Sequence, residues 1–262
     1  MSLVPVEGPL SREKLRDIRS LSSRRIRNRK GLCLVEGERS IGEAWRTRNL
    51  LYLILSDRGA TVNGSPAPEV PWPDLPCYTV GHKDFRELTD VKAGPALLGV
   101  ARIPDREDPE RLSVISGRST LLCLDGVQEP GNVGALIRTA WALGLSGVLL
   151  GEGTADPFSA KGVRASAGGV FHLPLYGGIG ATEMEKLLSG GYSLFAAERG
   201  GQDYRLTRYP ERSILALGNE GSGFSGWVLQ SATKIGIPLA EGVDSLNVVV
   251  AGSIIAAKMV ED

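Results

Sequence analysis

Short apolar runs alternate with helix-like segments through the second half of the chain. The runs Leu121–Leu124 and Ile214–Leu217 are uncharged, so the strands that they predict are buried on both faces. Buried strands separated by helices indicate a parallel sheet sandwiched between helices. The predicted strands are Leu121–Val127, Gly147–Gly151, Tyr192–Glu198, Ser213–Gly218 and Lys234–Leu239. The predicted helices are Val133–Gly144, Asp156–Phe171, Ala181–Ser189 and Leu246–Met259.

The first hundred residues show a second alternation, typical of a smaller α/β domain. The proline-rich stretch Thr61–Pro76 predicts a surface loop, because proline cannot donate to a strand ladder. Polar residues and two prolines in Arg102–Ser119 predict a linker. We therefore expect an N-terminal α/β domain at 1–105, a linker at 106–118 and the larger domain at 119–262. The smaller domain combines predicted strands Leu32–Val35, Leu50–Leu55, Cys77–Val80 and Leu97–Ala101 with predicted helices Ser11–Ser20, Arg39–Arg48 and Lys83–Asp90.

Composition narrows the class of protein. Apolar residues make up 42% and charged residues 23%, as in ordinary globular chains. No segment is long and apolar enough for a membrane span, and the first residues lack a signal core, so we expect a cytoplasmic protein without a membrane partner. Cys33, Cys77 and Cys123 are predicted to be free thiols, and with two histidines in the chain no metal site is expected.

Basic side chains are concentrated at the N-terminal end, although the formal net charge is zero. Residues 1–30 contain nine lysines and arginines against three acidic residues, clustered between Arg12 and Lys30. Clustered cations attract phosphates and release counterions on contact. The cluster predicts contact with nucleic acid, and a solvated helix face is the alternative.

Most of the 34 glycines fall at or after Gly126, many just past predicted strands. Open α/β sheets bind ligands at those strand ends, where glycine lets the backbone approach closely. In the loop Asp125–Arg138, Asn132 belongs to a tight turn before a helix, and Arg138 lies two turns into that helix. This combination suits a phosphate. The alternatives are that Asn132 is only an N-cap and Arg138 only a surface ion-pair partner.

Two more loops follow predicted strands. Gly218–Gly223 (GNEGSG) has neither the Lys-Ser/Thr of a P-loop nor the GxGxxG spacing. Glu220 would repel a phosphate there, so a ligand with a cationic or hydroxyl-bearing group fits better. In Ile237–Gly252, Ser245 precedes an apolar helix, where it could simply be the helix cap.

Taken together, NVGALIRTA, LGNEGSG and IPLAEGVDSLNVVVA resemble the three signature motifs of the SpoU-type (TrmH-like) RNA 2′-O-methyltransferases of the SPOUT superfamily. The resemblance covers roughly residues 120–260, and RNRKGLCLVEGERSIGEAW resembles the substrate-binding extension of members that act on rRNA. It implies a deep C-terminal trefoil knot, a rare topology, and a homodimer with the RNA site across its interface. The implied reaction is S-adenosylmethionine-dependent methylation of a ribose 2′-hydroxyl in RNA. The long N-terminal domain favours rRNA as the substrate, and a tRNA 2′-O-methyltransferase is the alternative.

The resemblance also implies roles for individual residues. S-adenosylmethionine is expected to contact backbone at Gly218, Ile237 and Leu246, with Leu217 and Leu239 as apolar walls. The implied catalytic residues are Arg138, Asn132, Glu220, Ser245 and Asn247. Because a guanidinium stays protonated in proteins, we expect Arg138 to position a phosphate and stabilise an oxyanion rather than act as a base. Two questions stay open: whether Glu220 only braces its loop, and whether Arg164 contacts RNA or forms an ion pair.

Two other classes of protein are alternatives. A non-catalytic RNA-binding protein that retains the fold would not bind S-adenosylmethionine, and the presence of all five polar residues argues against it. A Rossmann-type methyltransferase or oxidoreductase would be expected to carry an early GxGxxG, which the sequence lacks.

Overall fold

The computed structural model describes residues 6–57, 61–62, 65–66, 75–89, 97–105, 107–109, 112 and 117–261. Two compact units are present, one of Met1–Pro104 with Phe158–His172 and one of Asp105–Pro157 with Leu173–Asp262. Most of the predicted linker 106–118 and most of the predicted loop Thr61–Pro76 lie outside the described residues. The domain boundaries inferred from the sequence stay a prediction.

A five-stranded mixed sheet forms the centre of the first unit, in the order β1-β6-β3-β7-β2. Strands β1, β6 and β3 are mutually parallel, and β7 runs antiparallel to both β3 and β2. The unit consists of β1 (Val6–Pro9), α1 (Arg12–Arg19), α2 (Arg24–Lys30), β2 (Leu32–Glu36), α3 (Glu38–Arg46), β3 (Leu50–Ser56), the short pair β4 (Thr61–Val62) and β5 (Ser65–Pro66), β6 (Cys77–Val80), α4 (His82–Arg86), β7 (Leu97–Arg102) and α6 (Ala160–Ala165).

The helices of this unit form where the sequence supplies caps and an apolar face. Ser11 caps α1 by accepting from the Lys14 amide, and Leu15 and Ile18 enter the core together with Ile54 of the sheet. Strand β1 and helix α2 are not among the predicted elements. Strand β1 is short and gains its ladder from β6, far away in sequence, so no local pattern marks it.

A six-stranded sheet, all parallel, forms the second unit in the order β10-β9-β8-β12-β11-β13. Every residue of β8 is buried, as expected for a strand covered on both faces. The predicted parallel sheet with flanking helices is confirmed. The elements are β8 (Ser119–Asp125), α5 (Pro130–Ala142), β9 (Gly147–Gly151), β10 (Leu175–Ile179), α7 (Ala181–Ser189), β11 (Ser193–Asp203), β12 (Arg212–Gly218), α8 (Gly226–Ser231), β13 (Thr233–Gly236) and α9 (Val248–Glu261).

The predicted single helix Asp156–Phe171 is wrong. Helix α6 ends at Ala165, and Ala167 and Gly168 then adopt left-handed φ angles of 50° and 89°. A Cβ on Gly168 would lie 2.5 Å from Cβ of Glu43, so glycine allows the chain to turn against α3. The alanine and glycine content indicated helix, but this close approach within the first unit interrupts it.

Two buried carboxylates of the first unit bind the segment Phe158–His172. Glu36 is 2% exposed and forms an ion pair with Nη1 of Arg164, while Glu43 Oε2 lies 2.8 Å from Nε2 of His172. A buried carboxylate is costly unless a cation or donor pairs with it. The ion-pair interpretation of Arg164 is therefore confirmed, with a buried partner rather than a surface one.

Cys33, Cys77 and Cys123 are free and buried, as predicted. Burial raises the pKa of the Cys77 thiol to about 11 and also raises the pKa of Cys123. The Cys77 and Cys123 thiols therefore stay protonated near neutral pH, and a protonated thiol is a poor nucleophile. Within the described ranges, no helix meets the length and apolarity of a membrane span, and no three His, Cys, Asp or Glu side chains cluster as metal ligands would.

Candidate functional site

The three loops singled out in the sequence all leave the carboxyl edge of the second unit's sheet. Strands β8 and β12 are direct neighbours, and their register ends with Gly218 opposite Asp125. Strand β13 lies next to β11, which pairs with β12. Because these strands are parallel, the loops that follow them emerge at one edge, where open α/β sheets bind their ligands.

The first loop leads into α5, whose cap is Glu129 and not Asn132. The Glu129 carboxylate accepts from the Gly131 amide at 3.1 Å, and Pro130 takes the first helical position. The N-cap interpretation of Asn132 is therefore wrong. Arg138 is exposed on α5, and it has no hydrogen bond or ion pair to any residue that the structure describes.

The first and second loops meet at Asn132 and Glu220. Nδ2 of Asn132 donates to Oε1 of Glu220 at 2.8 Å, and the pair is open to solvent. The bond leaves the second oxygen of the Glu220 carboxylate available to a ligand. An exposed carboxylate held by an amide offers an acceptor for a hydroxyl or a cation, as the second loop's sequence suggested.

The second loop is held by Asn219 and Asp125, two residues that the sequence interpretation missed. Nδ2 of Asn219 donates to the Gly126 carbonyl, and its Oδ1 accepts from the Gly221 and Ser222 amides, all at 2.8 Å. Oδ2 of Asp125, which is 6% exposed, accepts from the Ser225 amide at 2.7 Å. An Asn directly after a strand, with Gly and Ser two and three positions further on, is a turn signal that could have indicated the first of these.

Gly218 lies where the second loop folds back on the strand end. A Cβ at this position would be 2.9 Å from the Gly223 carbonyl oxygen and 3.0 Å from Cδ1 of Phe224. The loop also closes on itself, because Asn219 and Gly223 exchange backbone hydrogen bonds of 2.9 and 3.1 Å. Glycine is therefore required at position 218 for the loop to close.

The third loop borders a cavity of about 120 Å³ beside β11 and α9. Four of the predicted site residues line it, namely Ile237, Leu239, Ser245 and Leu246. A second cavity of about 520 Å³ shares Arg199, Gly236, Ile237 and Leu239 with the first. The larger volume is within the usual range for small-molecule and cofactor sites.

The remaining predicted residues occupy other positions in this unit. Leu217 is 2% exposed and packs under α9, where a Cβ on Gly252 would collide with it, so it lies behind the loop rather than along the smaller cavity. Asn247 Oδ1 accepts from the Val249 amide at 2.8 Å and so begins α9. Asn247 therefore takes the capping position that Ser245 was considered for, and Ser245 remains exposed.

The lining of the two cavities suits a cofactor that is part apolar and part charged. Ile237, Leu239 and Leu246 provide apolar contacts. The same lining contains Glu198 and Asp244, whose carboxylates pair with Lys234 and Arg199. S-adenosylmethionine, with an apolar-faced adenine and charged groups at its methionine end, fits this lining.

An open parallel sheet with glycine-containing loops and ligand-sized cavities at its carboxyl edge defines an α/β ligand-binding protein. Comparison with known proteins is more specific. Residues 119–257 match the model of the SpoU rRNA Methylase family, which covers all three loops. The chain belongs to this family.

Individual relatives agree with this assignment. The chain is 30% identical over 245 residues to the 23S rRNA (guanosine(2553)-2′-O)-methyltransferase RlmP of Bacillus subtilis, covering 93% of this chain and 94% of that one. It is 36% identical over 167 residues to the 23S rRNA (adenosine(1067)-2′-O)-methyltransferase of Streptomyces laurentii, covering 61% and 60%. The crystal structure of an AdoMet-bound rRNA methyltransferase from Sinorhizobium meliloti superimposes with a TM-score of 0.79 at 26% identity, covering 97% of each chain.

Proposed function

We propose that this protein transfers a methyl group from S-adenosylmethionine to a ribose 2′-hydroxyl of ribosomal RNA. Family membership and the named activities of the Bacillus and Streptomyces relatives support this reaction. The observation that carries it is the meeting of Asn132 and Glu220 at the sheet edge from which the cavity-lining third loop also emerges. A hydroxyl-binding carboxylate and a cofactor-sized cavity on one edge are what a methyl transfer to a hydroxyl requires.

The cofactor would be held by the third loop and the end of β12. Ile237, Leu239 and Leu246 would contact its apolar parts, and Gly218 lets the second loop close beside them. When bound, S-adenosylmethionine supplies an electrophilic methyl group. The protein then has to place a ribose oxygen in line with that group and accept its proton.

Arg138 would bind the RNA phosphate next to the reacting ribose. Its guanidinium is exposed on α5 and makes no ion pair within the described residues, so it is available to a phosphate. It cannot act as the base, because it stays protonated. Asn132 would orient the Glu220 carboxylate towards the ribose or the cofactor, and Ser245 and Asn247 would order the cofactor loop.

We include the trefoil knot and the homodimer in this proposal. Helix α9 is apolar on nearly every side, yet Val250 is 46% exposed on it and Leu246 just before it is 36% exposed. A helix with apolar residues all round is normally covered, and a second copy of this chain would cover it. The RNA site would then be built across the interface. We also propose a cytoplasmic location, where the protein would meet its rRNA substrate.

The first unit would add RNA affinity through arginines of α1 and α2. Arg12, Arg16, Arg25 and Arg29 are exposed and make no ion pair or hydrogen bond to described residues. Other cations of the cluster are engaged internally, among them Arg19 with Asp84 and Glu87, Lys30 with Asp17, Lys14 with Tyr78 and Arg27 with backbone carbonyls. The free cations give the unit a surface for phosphates.

Methyl transfer into RNA tests the proposal. Purified protein with tritiated S-adenosylmethionine should label 23S or 16S rRNA from a strain lacking the gene, and the label should map to one 2′-O-methyl site. Labelling of tRNA instead would favour a tRNA 2′-O-methyltransferase. Failure to bind the cofactor by calorimetry would favour a non-catalytic RNA-binding protein.

A further inference from the structure

We propose that Asn219 is a positioning residue for the methyl transfer, because its side chain sets the Glu220 carboxylate against Asn132. The proposal rests on the function proposed above. Asn219 does not line either of the two cavities, and it acts through its neighbour Glu220 in the second loop.

The Asn219 side chain makes three hydrogen bonds, of which one joins the second loop to the first and two lie within the second loop. It donates to the carbonyl of Gly126 in the first loop and accepts from the amides of Gly221 and Ser222 in the second, each at 2.8 Å. A carbonyl can only accept and a backbone amide can only donate, so these partners allow one orientation of the side-chain amide. Aspartate could replace the accepted bonds but not the donated one.

The attachment point in the first loop is itself rigid. Gly126 adopts a φ of 76°, and its amide donates to Oγ1 of Thr154 at 3.1 Å. Thr154 is 3% exposed and donates in turn to the Leu124 carbonyl of β8 at 2.7 Å. Asn219 therefore connects the second loop to a buried network at the end of the neighbouring strand.

Glu220 lies inside the turn that Asn219 closes. Its side chain is exposed, and its described hydrogen bond is the one from Asn132 at 2.8 Å. An exposed glutamate has many rotamers, and the bond from Asn132 can orient the carboxylate only where the turn places Glu220 within its reach. The position of the carboxylate thus depends on where the turn is held, and the Asn219 bond to Gly126 holds it.

The experiment compares Asn219→Asp, Glu220→Ala and the double variant, with Gln230→Glu as a control. Gln230 is exposed on α8, so its variant repeats the amide-to-acid change away from the site. We expect Asn219→Asp to lower kcat on the order of tenfold and to change KM for S-adenosylmethionine by less than about twofold. The control Gln230→Glu should change neither quantity. In the Glu220→Ala background, Asn219→Asp should lower kcat no further, because coupled residues are not additive.

An equal loss of kcat in both backgrounds would overturn the proposal, since a purely structural residue gives additive effects. A second measurement, which does not depend on methyl transfer, tests the role of Asn219 separately from the proposed function. The side-chain amide resonances of Asn132 should shift in Asn219→Asp towards those in Glu220→Ala. Unshifted resonances would overturn the inference, whereas absence of methyl transfer by the unmodified protein would overturn the proposed function alone.

Discussion

The side-chain amide of Asn132 lies 2.8 Å from the Glu220 carboxylate, joining residues 88 positions apart in the sequence. The bond is exposed, so it contributes little to the free energy of unfolding. Its effect is on orientation, because it links the start of α5 to the turn after β12. The pair allows the charge of Glu220 to be tested separately from its hydrogen bond.

Replacing Glu220 with Gln should abolish the charge and keep the acceptor. A Gln oxygen can still accept from Asn132, so the free energy of unfolding should change by less than about 0.5 kcal/mol. Methyl transfer should fall by about tenfold or more if the carboxylate acts on the ribose or the cofactor. The measurement is tritium transfer into rRNA beside a denaturant titration, with exposed Glu211→Gln as the matched control. Full activity of Glu220→Gln would show that Glu220 only braces its loop.

Gly218→Val should disrupt the second loop. The added carbons would press on the Gly223 backbone and Phe224, which would cost about 1–3 kcal/mol of unfolding free energy. We expect cofactor binding, measured by calorimetry, to be lost as the loop opens. Gly226→Ala is the matched control, because a Cβ there meets nothing within 4 Å. Normal binding by Gly218→Val would remove the second loop from the cofactor site.

Arg138→Lys should reduce methyl transfer by orders of magnitude while leaving the fold intact. Lysine keeps the positive charge but lacks the planar fork that can hold a phosphate and a ribose oxygen together. Because Arg138 is exposed and has no ion pair among the described residues, we expect the melting temperature and the cofactor affinity to stay near those of the unmodified protein. Near-normal transfer would show that only the positive charge of Arg138 matters. A lower melting temperature would show that Arg138 stabilises the fold through a structural partner.

The basic cluster of the first unit divides into free and structural arginines. Replacing Arg25 and Arg29 with Ala should weaken RNA binding and lower its salt dependence by about one unit of slope for each lost phosphate contact. Filter binding over a range of salt concentrations measures both quantities. Unchanged affinity and slope would leave the cluster as a solvated surface.

Arg27→Ala should behave differently from those two replacements. Arg27 is 5% exposed and donates to the carbonyls of Leu21 and Ser22 at 2.7 and 2.8 Å. Removing it should lower the free energy of unfolding by about 1–3 kcal/mol, because buried carbonyls lose their donor. A thermal melt of the first unit's variants checks this, and an Arg27→Ala protein that melts normally would contradict it.

Local pattern in the sequence was sufficient for five of the six strands of the parallel sheet and for the three loops, whereas edge strand β10 was not predicted. Uninterrupted apolar runs such as Leu121–Leu124, which alternate with helix-like segments, indicate strands covered on both faces, and the motifs with Gly218 and Asn132 come at or soon after the ends of such strands. These are properties of neighbouring residues, so one sequence contains them. The sequence did not predict strand β1, because its ladder partner β6 is distant in the chain. It also did not predict the break after α6, because that break results from the close approach of Gly168 to Glu43.

What each polar side chain does depended on the tertiary structure. Asn132 does not cap its helix but bonds to Glu220, and Arg164 pairs with buried Glu36. Arg27 is buried and donates to backbone carbonyls only five and six residues before it. Composition makes these arginines and amides look interchangeable with their exposed neighbours. A hydrogen bond or ion pair is decided by which groups the folded chain brings within about 3 Å, and residues 88 or more positions apart become neighbours only through the packing of sheets and helices.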